Sequence, residues 1–166
     1  MVEFEYRCTD CGTAYGRDAV RYLCPSCGQK YRPGEPLPGV LEAVFDYGAI
    51  RRRFDRARPD WSLFSPVETR HYPEYPVGQT PLSAASRLGG RLGFQNLWLK
   101  NDGLNPSGSL KDRASFLVVA EANRLGERRI VTASTGNAAS ALAAVCAAAG
   151  RAAGRFVPLT APRAQR

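Results

Sequence analysis

Two pairs of cysteines near the N-terminus place the strongest constraint on the fold of this 166-residue chain. Cys8 and Cys11 form the first pair, Cys24 and Cys27 form the second, and a glycine follows each pair. The pattern C-x2-C-x12-C-x2-C is close to the spacings with which four thiolates bind one zinc ion at tetrahedral corners. It predicts a zinc-ribbon-like segment over residues 1–31, in which a short hairpin carries both pairs and a structural zinc has no open coordination position.

Two other interpretations of these cysteines are disfavoured. Disulfides are rare in a reducing compartment, and a redox-active C-x-x-C motif requires only one pair. The fifth cysteine, Cys146, lies in an alanine-rich stretch and is expected to be a small buried side chain. Four tyrosines are expected to pack around the zinc site: Tyr6, Tyr15, Tyr22 and Tyr31.

Composition excludes some classes of function. The net charge is +8, but 20 of the 23 basic residues are scattered arginines, and the group at residues 51–58 is expected to be a solvated helix face. We therefore expect no nucleic-acid partner. No apolar run reaches the roughly 18 residues of a membrane span, and the first residues do not resemble a signal peptide. These features predict a cytoplasmic protein without membrane contact.

The rest of the chain divides into an extension and an α/β region. Residues 32–77 begin with a linker rich in proline and glycine and form the predicted extension, with a strand over 41–47 and a helix over 49–57. From residue 78 onward the pattern becomes strand and helix in alternation. Strands are predicted at 97–100, 130–133 and 156–159, and helices at 111–125 and 138–149. This order predicts an α/β domain with a parallel sheet over residues 78–166.

The segment Asn105–Arg113, N-P-S-G-S-L-K-D-R, is the most informative part of that domain. Ser109 and Asp112 have the spacing of a capping box, which predicts a helix beginning at Leu110. Lys111 would then lie in the first turn, where the positive end of the helix disfavours a cation and favours the neutral amine that attacks carbonyl carbons. The alternative interpretation is an ordinary capped helix with a surface lysine.

A second polar segment follows the predicted strand at 130–133. Ser134, Thr135, Gly136 and Asn137 connect that strand to a helix. Parallel α/β sheets bind ligands at the carboxyl ends of their strands, and a helix N-terminus favours anions. A substrate carboxylate is therefore expected at Ser134, Thr135 and the amides that follow, including that of Gly136. The alternative is a plain turn with an asparagine-capped helix.

The lysine segment resembles the N-P-[ST]-G-S-x-K-D-R motif of pyridoxal-phosphate (PLP) enzymes with the tryptophan synthase β-type fold. This family includes threonine synthases, cysteine synthases and threonine dehydratases. Three further segments are similar to the family: Gly78–Leu82, Leu97–Asp102, which resembles the strand entering the lysine segment, and Ser134–Asn137. The resemblance implies that Lys111 binds pyridoxal 5'-phosphate and that Asn137 lies beside the hydroxyl of its ring.

The cysteine-rich segment narrows the resemblance to one branch of the threonine synthases. That branch implies a lyase of amino-acid biosynthesis, which converts O-phosphohomoserine to threonine and phosphate. Another substrate with the same cofactor stays open, as in cysteate synthase, threonine or serine dehydratase and cysteine synthase-like enzymes. A non-catalytic zinc-ribbon binding module is the alternative from a different class.

The resemblance also raises an expectation about completeness. Family members hold the cofactor phosphate with a glycine-rich loop and have a polar partner for the pyridine nitrogen, and neither can be matched after Asn137. The stretch at 161–166 is predicted to begin a helix. We therefore expect an N-terminal portion of the enzyme that is inactive by itself. The whole protein is expected to be a homo-oligomer, or to receive the remaining part from a second chain.

Overall fold

The computed structural model describes residues 3–162 of the chain. It contains two compact units, Met1–Glu68 and Thr69–Arg166. The predicted divisions after residues 31 and 77 stay predictions. The helix predicted over residues 161–166 lies mostly outside the described residues. Within the described residues, no helix is long and apolar enough to cross a membrane.

The first unit contains a three-stranded antiparallel sheet of order β2-β1-β3. Its strands are β1 (Phe4–Cys8), β2 (Ala14–Tyr15) and β3 (Leu41–Phe45), and a one-turn helix α1 (Pro25–Gly28) lies between β2 and β3. The central strand β1 therefore ends at the first predicted zinc ligand. The hairpin β1–β2 carries the first cysteine pair in its turn, and the second pair lies at α1.

Helix α2 (Tyr47–Arg53) follows β3 directly. It begins two residues before the predicted start and ends four residues before the predicted end at residue 57. The early start has a local cause, because the Asp46 carboxylate accepts a hydrogen bond from the Ala49 amide at 2.8 Å and caps the helix. Ile50 on its inner face packs with Leu63, which lies in a short 3-10 helix.

The second unit begins with an antiparallel pair, β4 (Leu82–Ala84) and β5 (Trp98–Lys100), separated by α3 (Ser86–Leu92). A 3-10 turn at Asp102–Leu104 leads into the lysine segment. The remaining elements alternate as predicted and are α4 (Lys111–Leu125), β6 (Arg129–Ala133), α5 (Asn137–Ala148) and β7 (Ala152–Phe156). Strands β6 and β7 are parallel, which agrees with the predicted α/β class, whereas β5 pairs with β4 instead of joining them.

The strand predicted at 156–159 is in the wrong place. The observed strand β7 occupies Ala152–Phe156, a stretch without β-branched residues. Tertiary pairing overrides this weak propensity, because Gly154 lies opposite Val131 and a Cβ on it would stand 3.3 Å from a methyl carbon of that valine. Small residues in β7 thus permit close pairing with β6.

Helices α4 and α5 enclose the core of the second unit. The buried cluster comprises Val119, Leu142, Val145 and Cys146, and Tyr75 and Ile130 pack against it. Cys146 is buried, as predicted for a small apolar side chain, and burial raises the pKa of its thiol. This packing holds the N-terminal ends of the two helices, where both predicted ligand-binding segments lie.

Candidate functional site

The four predicted zinc ligands form one cluster. The Sγ atoms of Cys8, Cys11, Cys24 and Cys27 all lie within 4.8 Å of one another, and those of Cys11 and Cys24 are 3.7 Å apart. A tetrahedron with zinc–sulfur bonds of about 2.3 Å has edges of about 3.8 Å. Cys11 is exposed and the other three are buried. The number, chemistry and spacing of the thiols therefore fit a tetrahedral metal ion.

The two cysteine pairs are shaped differently. Gly12 has a φ of 72° and donates its amide to the Cys8 carbonyl at 3.0 Å, so a glycine is required after the first pair. Gly28, after the second pair, is helical and donates to the Cys24 carbonyl at 2.8 Å. Only the glycine after the first pair has a positive φ, whereas Gly28 is constrained by space, since a Cβ there would lie 3.0 Å from Cβ of Leu23. The second pair is shaped by the single turn of α1, which starts at Pro25.

Gly39, in the predicted linker, forms hydrogen bonds with residues of both cysteine pairs' turns. Gly39 accepts a hydrogen bond from the Cys24 amide at 2.8 Å and donates its own amide to the Asp10 carboxylate at 2.5 Å. These bonds connect the linker to both cysteine pairs. Spacing alone gave no signal for Gly39, because its role depends on the return of the chain toward β3.

Hydrogen bonds shift the pKa values of the cysteine thiols in opposite directions. The Tyr15 hydroxyl lies 3.1 Å from Sγ of Cys24, and this contact is the largest cause that lowers the pKa of Cys24 to about 6 and raises the pKa of Tyr15 to about 12. The hydrogen bond with Cys11, followed by burial, raises the pKa of Cys27 to about 12.

Of the four tyrosines predicted around the site, only Tyr15 packs against the cysteines, and Tyr22 is 82% exposed.

The lysine segment starts helix α4 at Lys111, within one residue of the predicted start. The Lys111 amide donates to Ser109 Oγ at 3.1 Å, and its side chain is exposed. Within residues 3–162 the Lys111 amine makes no hydrogen bond or ion pair, so it is accessible to a ligand. The other lysine of this unit differs, because Lys100 Nζ donates to the Gly78 carbonyl at 3.4 Å and to the Thr80 carbonyl.

The predicted capping box does not form. Asp112 is fully buried, and its carboxylate accepts the Ser107 amide at 2.8 Å and the Ser107 hydroxyl at 2.5 Å. Ser109 and Asp112 do not exchange the expected pair of bonds, because Ser109 Oγ accepts the Lys111 amide and the Asp112 carboxylate is bound to Ser107. The loop before α4 folds back toward the helix. The Asp112 carboxylate therefore accepts the amide of Ser107, whereas in a capping box it would accept the amide of Ser109. Burial, followed by the charge of Asp112, raises the pKa of nearby Tyr75.

A polar frame connects the lysine segment with the glycine at position 78. Arg113 donates from Nε and Nη2 to the two carboxylate oxygens of Asp102, both at 2.8 Å, and from Nη2 to the Gly78 carbonyl at 3.2 Å. Thr80 Oγ1 donates to Asp102 at 2.7 Å, and the Gly78 amide donates to Asn105 Oδ1 at 3.0 Å. The Arg113 guanidinium, with Thr80, holds the pKa of Asp102 well below its usual range.

Gly78 is a structural requirement of this frame. Its φ is 91°, and a Cβ there would lie 2.9 Å from Nη1 of Arg113. Sequence reasoning missed Asp102 and the role of Gly78 as the partner of Arg113. The available signals were the segments Gly78–Leu82 and Leu97–Asp102, which resemble the family but were given no physical role in holding Arg113.

The second predicted segment forms the entry to α5. Ser134 Oγ accepts the Gly136 amide at 3.2 Å, and Asn137 is the first residue of the helix without capping it, so the asparagine-capped turn is not found. Ser134 and Thr135 are half-buried, while Gly136 and Asn137 are exposed. Within the described residues, no hydrogen bond or ion pair joins Lys111 to this segment. The two segments precede α4 and α5, which pack against each other through the buried cluster.

The sequence matches the family of pyridoxal-phosphate dependent enzymes over residues 74–166, the part that contains the frame and both polar segments. The chain belongs to this family. The match confirms the family resemblance and the α/β fold class that the motifs implied.

Several curated members of the family are similar to this chain. A threonine synthase from Methanosarcina acetivorans is 33% identical over 89% of this chain, and one from Methanocaldococcus jannaschii is 35% identical over 87% of it. Cysteine synthase B from Escherichia coli is 40% identical over 46% of this chain and covers 26% of its own length. The chain spans 35% of the length of each of the two threonine synthases.

One solved structure is similar over part of the chain. The processed form of threonine deaminase isoform 2 from Solanum lycopersicum aligns with a TM-score of 0.48 and 26% sequence identity. The alignment covers 62% of this chain and 27% of that chain.

Proposed function

We propose that the protein containing this chain is a threonine synthase-like PLP-dependent lyase, which converts O-phosphohomoserine to threonine and phosphate. The supporting observation is the extent of similarity. The threonine synthases align over 89% and 87% of the chain, well beyond the family match at residues 74–166, whereas cysteine synthase B aligns over 46%. The similarity to threonine synthases therefore extends into the unit that holds the cysteine cluster.

Lys111 is the proposed cofactor lysine. The chain has only three lysines, and the Lys100 amine is engaged by two backbone carbonyls while the Lys111 amine is exposed and unpaired among the described residues. Lys30 lies in the other unit. When bound, PLP supplies an electron sink for the substrate carbons. The exposed amine at the start of α4 fits a group that must form and release a covalent bond to a carbonyl carbon.

The entry to α5 is the proposed site for the substrate carboxylate. Ser134 and Thr135 supply hydroxyls, and the residues after Gly136 supply amides at a helix N-terminus, which favours anions. The Gly136 amide, which donates to Ser134 Oγ in this structure, would join them on exchanging that bond for one to the carboxylate. Asn137 is proposed as the hydrogen-bond donor to the cofactor ring hydroxyl. Its exposed side chain on the first residue of α5 is free for that contact. Once the substrate has displaced it from the cofactor, Lys111 would serve as a general base that moves a proton between neighbouring substrate carbons.

The cysteine cluster is the proposed site of a structural zinc ion. All four coordination positions come from protein, so no position is left for substrate or water. Its thiols are free of disulfides, which suits the reducing cytoplasm in which we propose that the protein acts. Zinc would replace the thiol protons and hold β1, α1 and the linker together.

The catalytic form is proposed to contain more polypeptide than this chain, either as further sequence, as a second chain or as a homo-oligomer. The relatives are about two and a half times as long, and this unit leaves a parallel strand pair with exposed apolar side chains, including Val131 at 50% and Phe156 at 71% exposure. Parallel sheets are ordinarily covered on both faces. We expect residues 1–166 by themselves to release no phosphate from O-phosphohomoserine.

The test is an assay of a protein that contains this chain together with the remaining length of its relatives. O-phosphohomoserine should be preferred over serine, threonine and phosphoserine, and Lys111→Ala should lower kcat by about 10³-fold, as expected for loss of a proton-transfer group. Lys30→Ala is the matched control and should retain activity. Preference for serine or phosphoserine would reject the threonine synthase assignment and favour another lyase of the same family.

A further inference from the structure

The residue that follows Lys111 is a buried carboxylate without a cationic partner. Asp112 is 0% exposed, and within the described residues its only hydrogen-bond partners are the amide and the hydroxyl of Ser107. A buried charge is unfavourable unless it is paired or hydrogen-bonded. Two features offset that cost here, because both carboxylate oxygens accept a bond and Asp112 lies at the positive N-terminal end of α4. Such a placement ties the loop firmly to the helix.

This bond determines the direction of Lys111. Successive residues of an α-helix point about 100° apart around its axis. Asp112 points inward to Ser107, and Arg113 points to Asp102 and Gly78. The Lys111 side chain therefore points to solvent, while its backbone amide donates a hydrogen bond to Ser109 Oγ. The backbone of the lysine is fixed on both sides while its amine stays unbound.

We propose that Ser107 and Asp112 form a positioning pair, which fixes the first turn of α4 so that the Lys111 amine points out of the loop toward the cofactor site. The proposal rests on the proposed function of Lys111 as the cofactor lysine. Neither residue of the pair needs to touch the cofactor. Their effect passes through the backbone between Ser107 and Asp112, which contains Lys111 itself.

Ser107→Ala tests the pair with little risk to the fold, because Ser107 is a half-buried loop residue outside the core cluster. It removes the hydroxyl bond and leaves the amide bond to Asp112. Amide hydrogen exchange at Lys111, measured by NMR without PLP, should become about fivefold faster, the factor expected for loss of one hydrogen bond. Exchange at Val119 and Val145 should stay unchanged, which would show that the core is intact. Ser107→Thr keeps the hydroxyl and should match the wild-type chain.

A second measurement uses PLP as the probe. The chain is incubated with PLP, reduced with borohydride and mapped by mass spectrometry, and only three lysines can carry the label. Labelling of Lys111 relative to Lys30 should fall by about fivefold in Ser107→Ala and recover in Ser107→Thr. Equal exchange and equal labelling in the wild-type and Ser107→Ala chains would overturn the positioning role, as would an equal loss in Ser107→Thr.

The two proposals fail separately. Labelling of Lys30 or Lys100 in preference to Lys111 in the wild-type chain contradicts Lys111 as the cofactor lysine. The exchange experiment contains no PLP, so it still decides whether Ser107 and Asp112 fix the first turn of α4.

Discussion

The four cysteines of the first unit converge on one another, whereas within residues 3–162 Lys111 of the second unit forms no hydrogen bond or ion pair with the other residues predicted to bind ligand. In the cysteine cluster every predicted group lies within 4.8 Å of the others. Around Lys111 the hydrogen bonds join its neighbours to loop residues: Ser107 donates to Asp112, and Arg113 donates to Asp102. Both sites were predicted from short motifs, but their chain geometries differ.

The difference follows from the size of what each site binds. A metal ion needs its ligands in mutual contact at about 2.3 Å from one centre, so the protein groups themselves form the site. A cofactor with a substrate needs space, so the protein holds a frame around it and leaves the reactive groups apart. A motif can therefore predict a metal site nearly completely, while for a cofactor site it predicts the reactive residue and omits much of the frame.

The largest expected effect is loss of the cysteine cluster. Cys24→Ser removes a buried ligand and should reduce zinc from about one ion per chain to almost none, with the sheet β1–β3 destabilised by about 3 kcal/mol or more, because structural zinc contributes its binding energy to folding. Metal analysis and hydrogen exchange of the β1–β3 amides measure both effects. Exchange at Val119, in the unit of the lysine segment, should not change.

Cys146→Ser is the matched control for that variant. It also replaces a buried cysteine, but it lies in the α4–α5 core and should retain full zinc. If Cys24→Ser retained one zinc ion per chain, the cysteine cluster would not be the metal site. The comparison between a metal site and a cofactor site would then no longer hold.

Sequence alone predicted the elements whose causes are local. Helix α4 was predicted within one residue of its observed start and at its observed end, and α5 was predicted within one residue at each end. The cysteine spacing likewise predicted which four side chains meet. In these cases periodicity or spacing over a short stretch carries the information.

The errors fall where distant residues decide the structure. Strand β7 depends on pairing with β6 and not on its own alanines and glycine. The capping-box pattern of Ser109 and Asp112 was outcompeted by Ser107, and the partner of Arg113 lies eleven residues earlier, at Asp102. The role of Gly39 at the second cysteine pair depends on the return of the chain toward β3. Without homologous sequences or coordinates, nothing in the local pattern identifies these partners.

A smaller effect is expected from the frame of the lysine segment. Gly78→Ala imposes a φ of 91° on a residue with a Cβ and places that carbon 2.9 Å from Arg113 Nη1. We expect the Thr69–Arg166 unit to lose about 1–2 kcal/mol of unfolding free energy, from backbone strain and a displaced Arg113. Denaturant unfolding followed by exchange at Val119 measures this loss.

The control for this variant is Gly90→Ala in helix α3. A Cβ there meets no atom within 4 Å, so the change should be neutral or stabilise the unit by up to about 1 kcal/mol. If Gly78→Ala were as stable as Gly90→Ala, the frame would not constrain position 78. The contrast between a compact metal site and a framed cofactor site would then be weaker.

The smallest expected effect is the pH dependence of the same frame. The hydrogen bonds from Arg113 and Thr80 lower the pKa of Asp102 in the folded chain. The ionised carboxylate therefore stabilises the folded unit above its unfolded pKa of about 3.9, and this stabilisation is lost as the pH falls toward the lower folded value. Asp102→Asn should remove that part of the acid sensitivity, so that its stability falls less steeply below about pH 4 than that of the wild-type chain.

The matched control is Glu74→Gln, because Glu74 is exposed and makes no hydrogen bond or ion pair within the described residues. Since Arg113 is 42% exposed, added salt should weaken the effect. Stability followed through Val119 in the second unit separates it from acid release of zinc in the first, and parallel acid profiles for Asp102→Asn and the wild-type chain would show that the Asp102–Arg113 pair does not stabilise the frame.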